Sequence, residues 1–314
     1  MTTIGVVINP SAGHGRARRR GQQVLTELRQ HGIRALDLTG QDAEHALARA
    51  RAALDRIQAL VVVGGDGMAH LGVNAIAGTG VYLGLVPAGS GNDLARGLGI
   101  PVGDVPASVR VVLTALERGP RHIDAIATQS PAEPTRVPRW TACVLSAGLD
   151  AAVNARANAY RWPRGAARYL RGVVAELTGF RPYHYRITID GQVHEQRATL
   201  VALANAPTFG GGLRIAPDAR VDDGLMDVVI ADGLTRRHIA AVFPRLYRGT
   251  HVSHPAVRIV RAREVTLEPG SAAPPPRAFG DGEDLAPLPL RATIVPGAVP
   301  LLAPAPRSGP AHRR

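Results

Sequence analysis

Short apolar runs that end in glycine-rich turns constrain the fold of this chain most. The runs Ile4–Ile8, Ala59–Val63 and Tyr82–Val86 are rich in β-branched or aliphatic residues, and helical spacing follows the first two over Ala17–Gln30 and Leu71–Ile76. Strands that alternate with helices favour a wound, parallel α/β sheet. We therefore predict an α/β domain over residues 1–124, with a return of the chain to it around 297–314.

The pattern changes after a proline-containing linker at Thr128–Pro138. Alternating and β-branched segments then dominate, and Asp190-Gly191 between two of them predicts a hairpin. The second half, residues 125–296, is predicted to be a mostly β domain of the sandwich type, with helices near 151–178 and 235–247. The predicted strands are Trp140–Ala147, Tyr185–Ile189, His194–Ala204, Leu225–Ile230, Val257–Val260 and Val265–Leu267.

Charge and cysteine content narrow the class of protein. The 314-residue chain has a formal net charge of +12, contains arginine but no lysine, and has one cysteine, Cys143. A single cysteine excludes an internal disulfide and fits a reducing cytoplasm. No stretch approaches the ~20 apolar residues that span a bilayer, so any membrane contact is expected to be peripheral. Charge alone does not choose between anionic lipid and nucleic acid, and genome composition also explains the arginine excess.

The segment Leu60–Gly67 carries the strongest chemical pattern. A buried strand ends in Gly64, Gly65 and Gly67, which surround Asp66. Glycine permits positive φ and close approach of backbone N–H groups to a phosphate. Asp66 would repel that phosphate unless it acted on a metal ion, directly or through water. The alternative is a plain turn in which the aspartate caps the next helix.

Two further turns follow the same logic. Pro87–Leu94 contains Ser90 and Asp93, and capping of the next helix is the favoured role for Asp93. Asn9–Gly15 lies between a strand and an arginine-rich helix start, and phosphate binding is there about as well supported as a solvated basic turn. Ligands of open α/β sheets bind at the carboxyl ends of such strands.

Together these motifs resemble the diacylglycerol kinase catalytic domain family, which includes soluble bacterial lipid kinases and the sphingosine and ceramide kinases. The resemblance extends from residue 3 to about 300. Its motifs, in order, are Asn9-Pro10-Ser11-Ala12-Gly13, Gly64-Gly65-Asp66-Gly67, Pro87-Ala88-Gly89-Ser90-Gly91-Asn92-Asp93, Gly148-Leu149-Asp150, Gly210-Gly211-Gly212, Ala216-Pro217-Asp218-Ala219, Asp222-Asp223-Gly224 and Asp281-Gly282-Glu283.

The resemblance implies a fold, an activity and a set of site residues. The first domain would be like that of NAD kinases, the second a β-sandwich, and ATP with Mg²⁺ would bind between them. The enzyme would transfer the γ-phosphate to a lipid hydroxyl, with diacylglycerol giving phosphatidic acid as the favoured case. The implied nucleotide-binding residues are Asn9, Pro10, Ser11, Gly13, Thr39, Gly64, Gly65, Asp66, Gly67 and Ser90.

Carboxylates carry the remaining implied roles. Asp66, Asp93 and Asp281 would organise water around the catalytic magnesium, and Glu283 would be the general base. A second, structural magnesium would lie at Arg220, Asp223 and Leu225, with carbonyls from the first and last. The chemistry of Asp281-Gly282-Glu283 allows the same division of roles. Of two carboxylates separated by one residue on a turn, one can order metal-bound water while the other accepts the proton. A simple surface turn is the alternative for Asp281-Gly282.

The sequence departs from the family pattern in one place. Met68, His70 and Leu71 stand where threonine, asparagine and glutamate are usual, and methionine cannot donate a hydrogen bond to phosphate. Two alternatives therefore stay open, an NAD kinase-type enzyme and a catalytically impaired regulator that binds nucleotide or lipid.

The stretch Arg156–Arg186 interleaves arginine with tyrosine, tryptophan and phenylalanine. Such a mixture suits an anionic membrane surface, although a solvated basic helix has the same composition. No nucleic-acid module accompanies it, so a nucleic-acid partner is not expected, and a homodimer is possible. His184, His251 and His254 lack zinc-ligand spacing and are interpreted as ordinary polar residues.

Overall fold

A computed structural model describes residues 2–9, 16–160, 171–173, 175–176, 182–270 and 277–305. Within these ranges the strands are β1 Thr3–Ile8, β2 Arg34–Asp37, β3 Ala59–Gly64, β4 Tyr82–Pro87, β5 Arg121–Gln129, β6 Arg139–Thr141, β7 Val144–Gly148, β8 Tyr183–Ile189, β9 Gln192–Ala204, β10 Thr208–Phe209, β11 Leu213–Arg214, β12 Met226–Asp232, β13 Val257–Ala262, β14 Glu264–Pro269, β15 Arg277–Gly280, β16 Glu283–Pro287 and β17 Leu290–Leu302. The helices are α1 Arg16–Gln30, α2 Ala43–Arg51, α3 Asp66–Ile76, α4 Asp93–Gly97, α5 Val105–Arg118, α6 Leu149–Ala159 and α7 Arg236–Leu246. Residues 171–173 and 175–176 are also helical.

The first part of the chain forms a parallel sheet in the order β4-β3-β1-β2. Every residue of β3 is buried, because helices cover both faces. Val61 and Val63 pack in one core cluster with α1 and α5, whereas Leu60 and Val62 pack in another with α2 and α3. The predicted wound α/β sheet is confirmed.

Helix α3 begins earlier than the sequence predicted. It starts at Asp66 rather than near Leu71, and the carbonyl of Gly65 accepts hydrogen bonds from the backbone N–H groups of Met68 and Ala69. The first N–H groups of a helix have no partner within the helix. The end of β3 is thus followed immediately by a helix N-terminus.

The second part is antiparallel, in the order β16-β15-β7-β9-β8-β14-β17, with β12 and β13 attached through β9. The predicted continuous strand over Trp140–Ala147 is wrong. It divides into β6 and β7 because the N–H groups of Ala142 and Cys143 turn toward the carboxylate of Asp281 instead of joining a ladder.

Strand β17 connects the two parts. It pairs antiparallel with β14 and β5, and then Leu301 and Leu302 pair in parallel with β4. Its pairing shifts between Val295 and Val299, where Asp124 accepts the N–H of Gly297 at 2.8 Å. The division into domains near residue 124 stays a prediction, because β17 joins the strands of both parts in one continuous sheet.

Among the described residues, no helix is long and apolar enough to cross a membrane.

Candidate active site

The two glycine turns after β3 and β4 lie against each other. The N–H of Ala88 donates to the carbonyl of Gly64 at 2.7 Å, and a Cβ built at Gly89 would lie 2.4 Å from the Cα of Gly65. The expectation that these glycines use positive φ is wrong, because Gly64, Gly65 and Gly67 all have ordinary φ values. They are glycines because other atoms approach too closely for a side chain.

Asp66 caps the helix of the neighbouring turn. Its two carboxylate oxygens accept the backbone N–H groups of Asn92 at 2.8 Å and Asp93 at 2.6 Å, at the start of α4. A Cβ built at Gly91 would lie 2.3 Å from Oδ2 of Asp66. The capping role predicted for Asp93 is therefore wrong, since a carboxylate from another strand end already occupies that position.

The side chain of Asp93 points to the second part of the molecule. Its Oδ2 accepts the N–H of Gly211 at 2.7 Å. Residues Gly210, Gly211 and Gly212 have φ values of 59°, 87° and 100°, a left-handed run that side chains rarely adopt. Burial raises the pKa of Asp93 above its usual range, against the effect of the Gly211 N–H, and the neighbouring Asp66 raises it further.

Asp281 fixes the turn between β6 and β7. Its carboxylate accepts the backbone N–H groups of Ala142 at 2.9 Å, Cys143 at 2.8 Å and Val144 at 3.3 Å. Asp281 itself has φ of 52°, a conformation that aspartate tolerates. Two residues later, Glu283 is exposed, and its Oε1 lies 2.8 Å from the position of a Cβ at Gly67. Glu283 therefore lies over the N-terminus of α3.

The three aspartates converge on one place. Burial raises the pKa of the Cys143 thiol well above its usual range, and Asp281, Asp93 and Asp66 add to this increase. All three carboxylates therefore lie near the buried Cys143 thiol, so strand ends from both parts of the chain meet here.

The three departures from the family pattern have separate explanations. Met68 and Leu71 are buried in the core, and a Cβ at Gly64 would lie 2.4 Å from Cγ of Met68. His70 instead faces the carboxylates, with Nδ1 3.3 Å from Oδ2 of Asp281 and Nε2 3.2 Å from Nδ2 of Asn74. Neither apolar residue points at the cleft, so neither obstructs it.

The remaining predicted nucleotide-binding residues lie at the same edge. The hydroxyl of Thr39 accepts the N–H of Ile8 at 3.1 Å, and the N–H of Asn9 donates to Val63. Ser90 is exposed on the second turn. Pro10, Ser11 and Gly13 lie outside the described residues.

Two arginines contact the second turn. Arg20 of α1 donates to the carbonyl of Ala88 at 3.3 Å, and Arg96 of α4 donates to the carbonyl of Gly91 at 2.8 Å. The sequence showed Arg20 only as part of the arginine-rich helix start after Asn9–Gly15 and did not single out Arg96, because helix packing alone brings both to this turn. They place positive charge beside the glycines.

The aspartates suit a hydrated magnesium ion better than a directly bound one. Among the described residues, no three acidic, histidine or cysteine side chains form a direct metal cluster. Asp66 and Asp281 already accept backbone N–H groups on both oxygens, yet each carboxylate oxygen has further capacity to accept a water hydrogen. Magnesium usually keeps several of its waters in protein sites.

The predicted second metal site already holds a cationic side chain. Oδ2 of Asp223 pairs with the guanidinium of Arg261 on β13, and Oδ1 accepts the N–H of Leu225 at 3.2 Å. The side chain of Arg220 pairs with Asp222 at 3.5 Å. A dication held by the Asp223 carboxylate and the carbonyls of Arg220 and Leu225 would have to displace the Arg261 ion pair, and this second magnesium site stays a prediction.

An apolar pocket lies between β9, β12, α6 and α7. Its volume is about 80 Å³, and most of its lining is aliphatic or aromatic. Its lining includes Phe209, which immediately precedes the glycine loop whose Gly211 N–H donates to Asp93. Asp150 and His251 also line the pocket, among the apolar residues. The sequence pointed to Asp150 only as part of a motif without a role, and His251 was interpreted as an ordinary polar residue.

Most of the predicted arginine and aromatic surface lies outside the described residues. Within them, Arg156 pairs with Glu176, and the guanidinium of Arg171 lies 4.1 Å from the ring centre of Tyr160. These contacts join α6 to the following helical residues, and Val173 lines the pocket.

Comparison with protein families agrees with this geometry. Residues 3–127 match the diacylglycerol kinase catalytic domain, and residues 143–303 match the YegS C-terminal NAD kinase beta sandwich-like domain. A diacylglycerol kinase of Mycobacterium tuberculosis is 33% identical over 303 residues, covering 96% of this chain and 95% of that protein. Sphingosine kinase 1 of Arabidopsis thaliana is 25% identical, covering 90% and 68%. The chain belongs to the diacylglycerol kinase family of lipid kinases.

Solved structures support the fold. A putative diacylglycerol kinase from Bacillus anthracis aligns with a TM-score of 0.74 at 18% identity, covering 96% of this chain and 97% of that one. Yeast NADH kinase aligns with a TM-score of 0.53 at 13% identity, covering 94% and 78%. The predicted architecture, an NAD kinase-like α/β part followed by a β-sandwich part, is confirmed.

Proposed function

We propose that this protein transfers the γ-phosphate of ATP to the hydroxyl of a lipid, with diacylglycerol as the preferred substrate. One observation carries the proposal. The apolar pocket includes Phe209, and the glycine loop that follows it donates the Gly211 N–H to Asp93 at the phosphate-binding edge. A lipid chain in this pocket would lead its hydroxyl toward the carboxylates.

The glycine turns would hold the nucleotide phosphates. The N-terminus of α3, at Asp66, and the close backbone approach at Gly65 and Gly89 suit an anion, and Arg20 and Arg96 add positive charge. Magnesium would neutralise phosphate charge there, while Asp66, Asp93 and Asp281 hold its water shell in place.

Glu283 is the proposed general base. It is exposed, lies over Gly67, and follows the rigidly held Asp281 by two residues. A carboxylate in that position can take the proton of an attacking hydroxyl as the new phosphorus–oxygen bond forms and the bond between the γ-phosphorus and the departing ADP breaks. Asp281, by contrast, is held in place by three backbone N–H groups. Asp281 would therefore position the water shell of the magnesium ion, and Glu283 would accept the proton.

Diacylglycerol is preferred over a sphingoid substrate because a bacterial relative that is 33% identical and covers 96% of this chain is a diacylglycerol kinase. The pocket walls also suit acyl chains, since aliphatic and aromatic residues make up most of its lining. Reaching such a substrate requires contact with a bilayer, and we propose peripheral association from the cytoplasm through the arginine-rich segment.

Transfer of labelled phosphate from ATP to diacylglycerol, sphingosine and NAD tests the proposal. We expect labelled phosphatidic acid, with less transfer to sphingosine and none to NAD. Label on NAD alone would identify an NAD kinase-type enzyme. Nucleotide binding without transfer to any acceptor would identify the impaired regulator, a possibility weakened by the burial of Met68 and Leu71.

A further inference from the structure

Helix α7, which covers the apolar pocket, has two faces of opposite character. One face lines the pocket with side chains at helical spacing, namely Ile239, Val242, Phe243 and Leu246. The rest of its surface is basic and exposed to solvent. It carries the α7 arginines, which are Arg236, Arg237, Arg245 and, just beyond the helix end, Arg248. A cluster of arginines on one surface is attracted to anionic lipid headgroups.

No acidic residue of this segment balances the charge. Residues 233–263 contain seven arginines and neither aspartate nor glutamate. On the neighbouring strand β13, Arg261 pairs with Asp223 and Arg258 donates to Gln196. The α7 arginines differ from these two, since none of the four pairs with a carboxylate in the part of the chain that the structure describes. Their positive charge is therefore available to a partner.

Exposed apolar side chains lie beside the α7 arginines. Tyr247 is 49% exposed and directly precedes Arg248, and Val252 is 38% exposed in the short helical turn Thr250–Ser253. The same turn contributes His251 to the pocket lining. Tyrosine and arginine both combine an apolar body with a polar end, which suits the headgroup region of a bilayer. A nucleic acid would attract the arginines too, but the exposed apolar residues and the pocket behind the helix favour lipid.

We propose that the outer face of α7 is a docking surface for an anionic bilayer, with Tyr247 and Val252 entering the headgroup region. This surface is separate from the segment Arg156–Arg186. The inference rests on the proposed function for the identity of the pocket's ligand, and it adds the place where that ligand enters. With α7 on the bilayer, a lipid chain would pass to the pocket directly behind the helix without crossing water.

Partition of the full chain onto vesicles of phosphatidylglycerol and phosphatidylcholine, or of phosphatidylcholine alone, tests the surface. We expect Arg245→Gln/Arg248→Gln to weaken binding to the anionic vesicles by about 25-fold, about fivefold for each arginine near the surface. The matched control is Arg110→Gln/Arg118→Gln, which removes the same charge from exposed positions on α5. The control should stay within about twofold of wild type, because charges away from the contact are screened.

An environment-sensitive fluorophore attached through Val252→Cys reports the contact itself. Cys143 is buried, so the introduced thiol is the one that reacts. The emission should shift to shorter wavelength when anionic vesicles are added, as the probe enters the headgroup region. This readout keeps all four α7 arginines and decides the matter if the double variant does not fold. No shift on vesicles that the protein demonstrably binds would overturn the docking surface.

Equal weakening by the α7 and α5 variants would also overturn it, because net charge alone would then explain binding. So would tighter binding to duplex DNA than to anionic vesicles, with that binding lost in Arg245→Gln/Arg248→Gln. Each of these results would leave the lipid kinase proposal standing. Vesicle binding that depends on the α7 arginines, in a protein that phosphorylates no lipid, would instead overturn the proposed function and leave the docking surface in place.

Discussion

The carboxylates at the glycine-turn edge and the carboxylate in the apolar pocket are held in opposite ways. Asp66 and Asp281 accept backbone N–H groups on both oxygens, whereas Asp150 is buried in a mostly apolar lining, with the Ser146 hydroxyl and the Ala151 N–H acting against the effect of burial. Backbone donors fix a carboxylate and favour its charged form, while burial among apolar groups disfavours that form. The first arrangement suits a preorganised reaction centre, and the second produces a carboxyl group whose pKa is raised to about 6.

Removing the proton acceptor should give the largest effect at the first region. We expect Glu283→Gln to lower kcat by about 10²–10⁴-fold with ATP affinity nearly intact, since glutamine keeps the shape but cannot accept a proton at neutral pH. Asp66→Asn serves as the contrast and should weaken nucleotide binding too, because its amide would face N–H donors. Rate constants at saturating ATP and nucleotide titrations measure both, and a Glu283→Gln enzyme within about threefold of wild type would exclude the base assignment.

The pocket carboxylate should make stability depend on pH. A pKa of about 6 in the folded protein, against an ordinary 3.8, means that the folded state holds this proton more tightly. The free energy of unfolding should therefore fall by about 3 kcal/mol at most as pH rises from about 4 to above 6, and Asp150→Asn should lack this fall. Denaturant titrations of both proteins across this range measure it.

Asp42→Asn, which changes an exposed helix cap, controls for the loss of one negative charge. If wild type and Asp150→Asn show parallel pH profiles, the buried carboxyl does not titrate in this range.

A smaller effect is expected where a carboxylate is paired with a side chain. Arg261 takes the place of a cation at Asp223, so magnesium without nucleotide should leave the Tm of wild type unchanged. Arg261→Met should lower the stability by about 1 kcal/mol, because the pair is partly exposed, and magnesium should restore part of the loss. Arg258→Met removes the same charge from the same strand and should show no such rescue.

A magnesium-dependent rise in the Tm of wild type that disappears in Asp223→Asn would instead support the metal site predicted from the sequence.

The smallest expected effect concerns the proposed membrane contact of the arginine-rich segment Arg156–Arg186. Binding to anionic vesicles should weaken as salt rises, since exposed charges are screened over ~10 Å at moderate ionic strength. Co-sedimentation with anionic and neutral vesicles over a salt series measures it. Vesicle binding that does not change with salt concentration, or that is equally strong on neutral vesicles, would contradict an electrostatic contact.

Local patterns in the sequence were sufficient to predict most of the strands and helices and the edge of the sheet where the site lies. Buried strands such as Ala59–Gly64 were visible as apolar runs, and the glycine turns after them marked the carboxyl ends of the parallel sheet. The sequence therefore determined the architecture, the family and the candidate carboxylates, because periodicity and turn chemistry are properties of neighbouring residues.

Partners across the chain were decided only by the tertiary structure. The cap of α4 comes from Asp66, which is 27 residues from Asp93, and Asp281 breaks a strand 138 residues away at Cys143. The apolar surroundings of Asp150 likewise depend on which side chains pack around it after folding. Hydrogen bonds and burial between distant segments leave no local pattern, because they depend on how the segments pack.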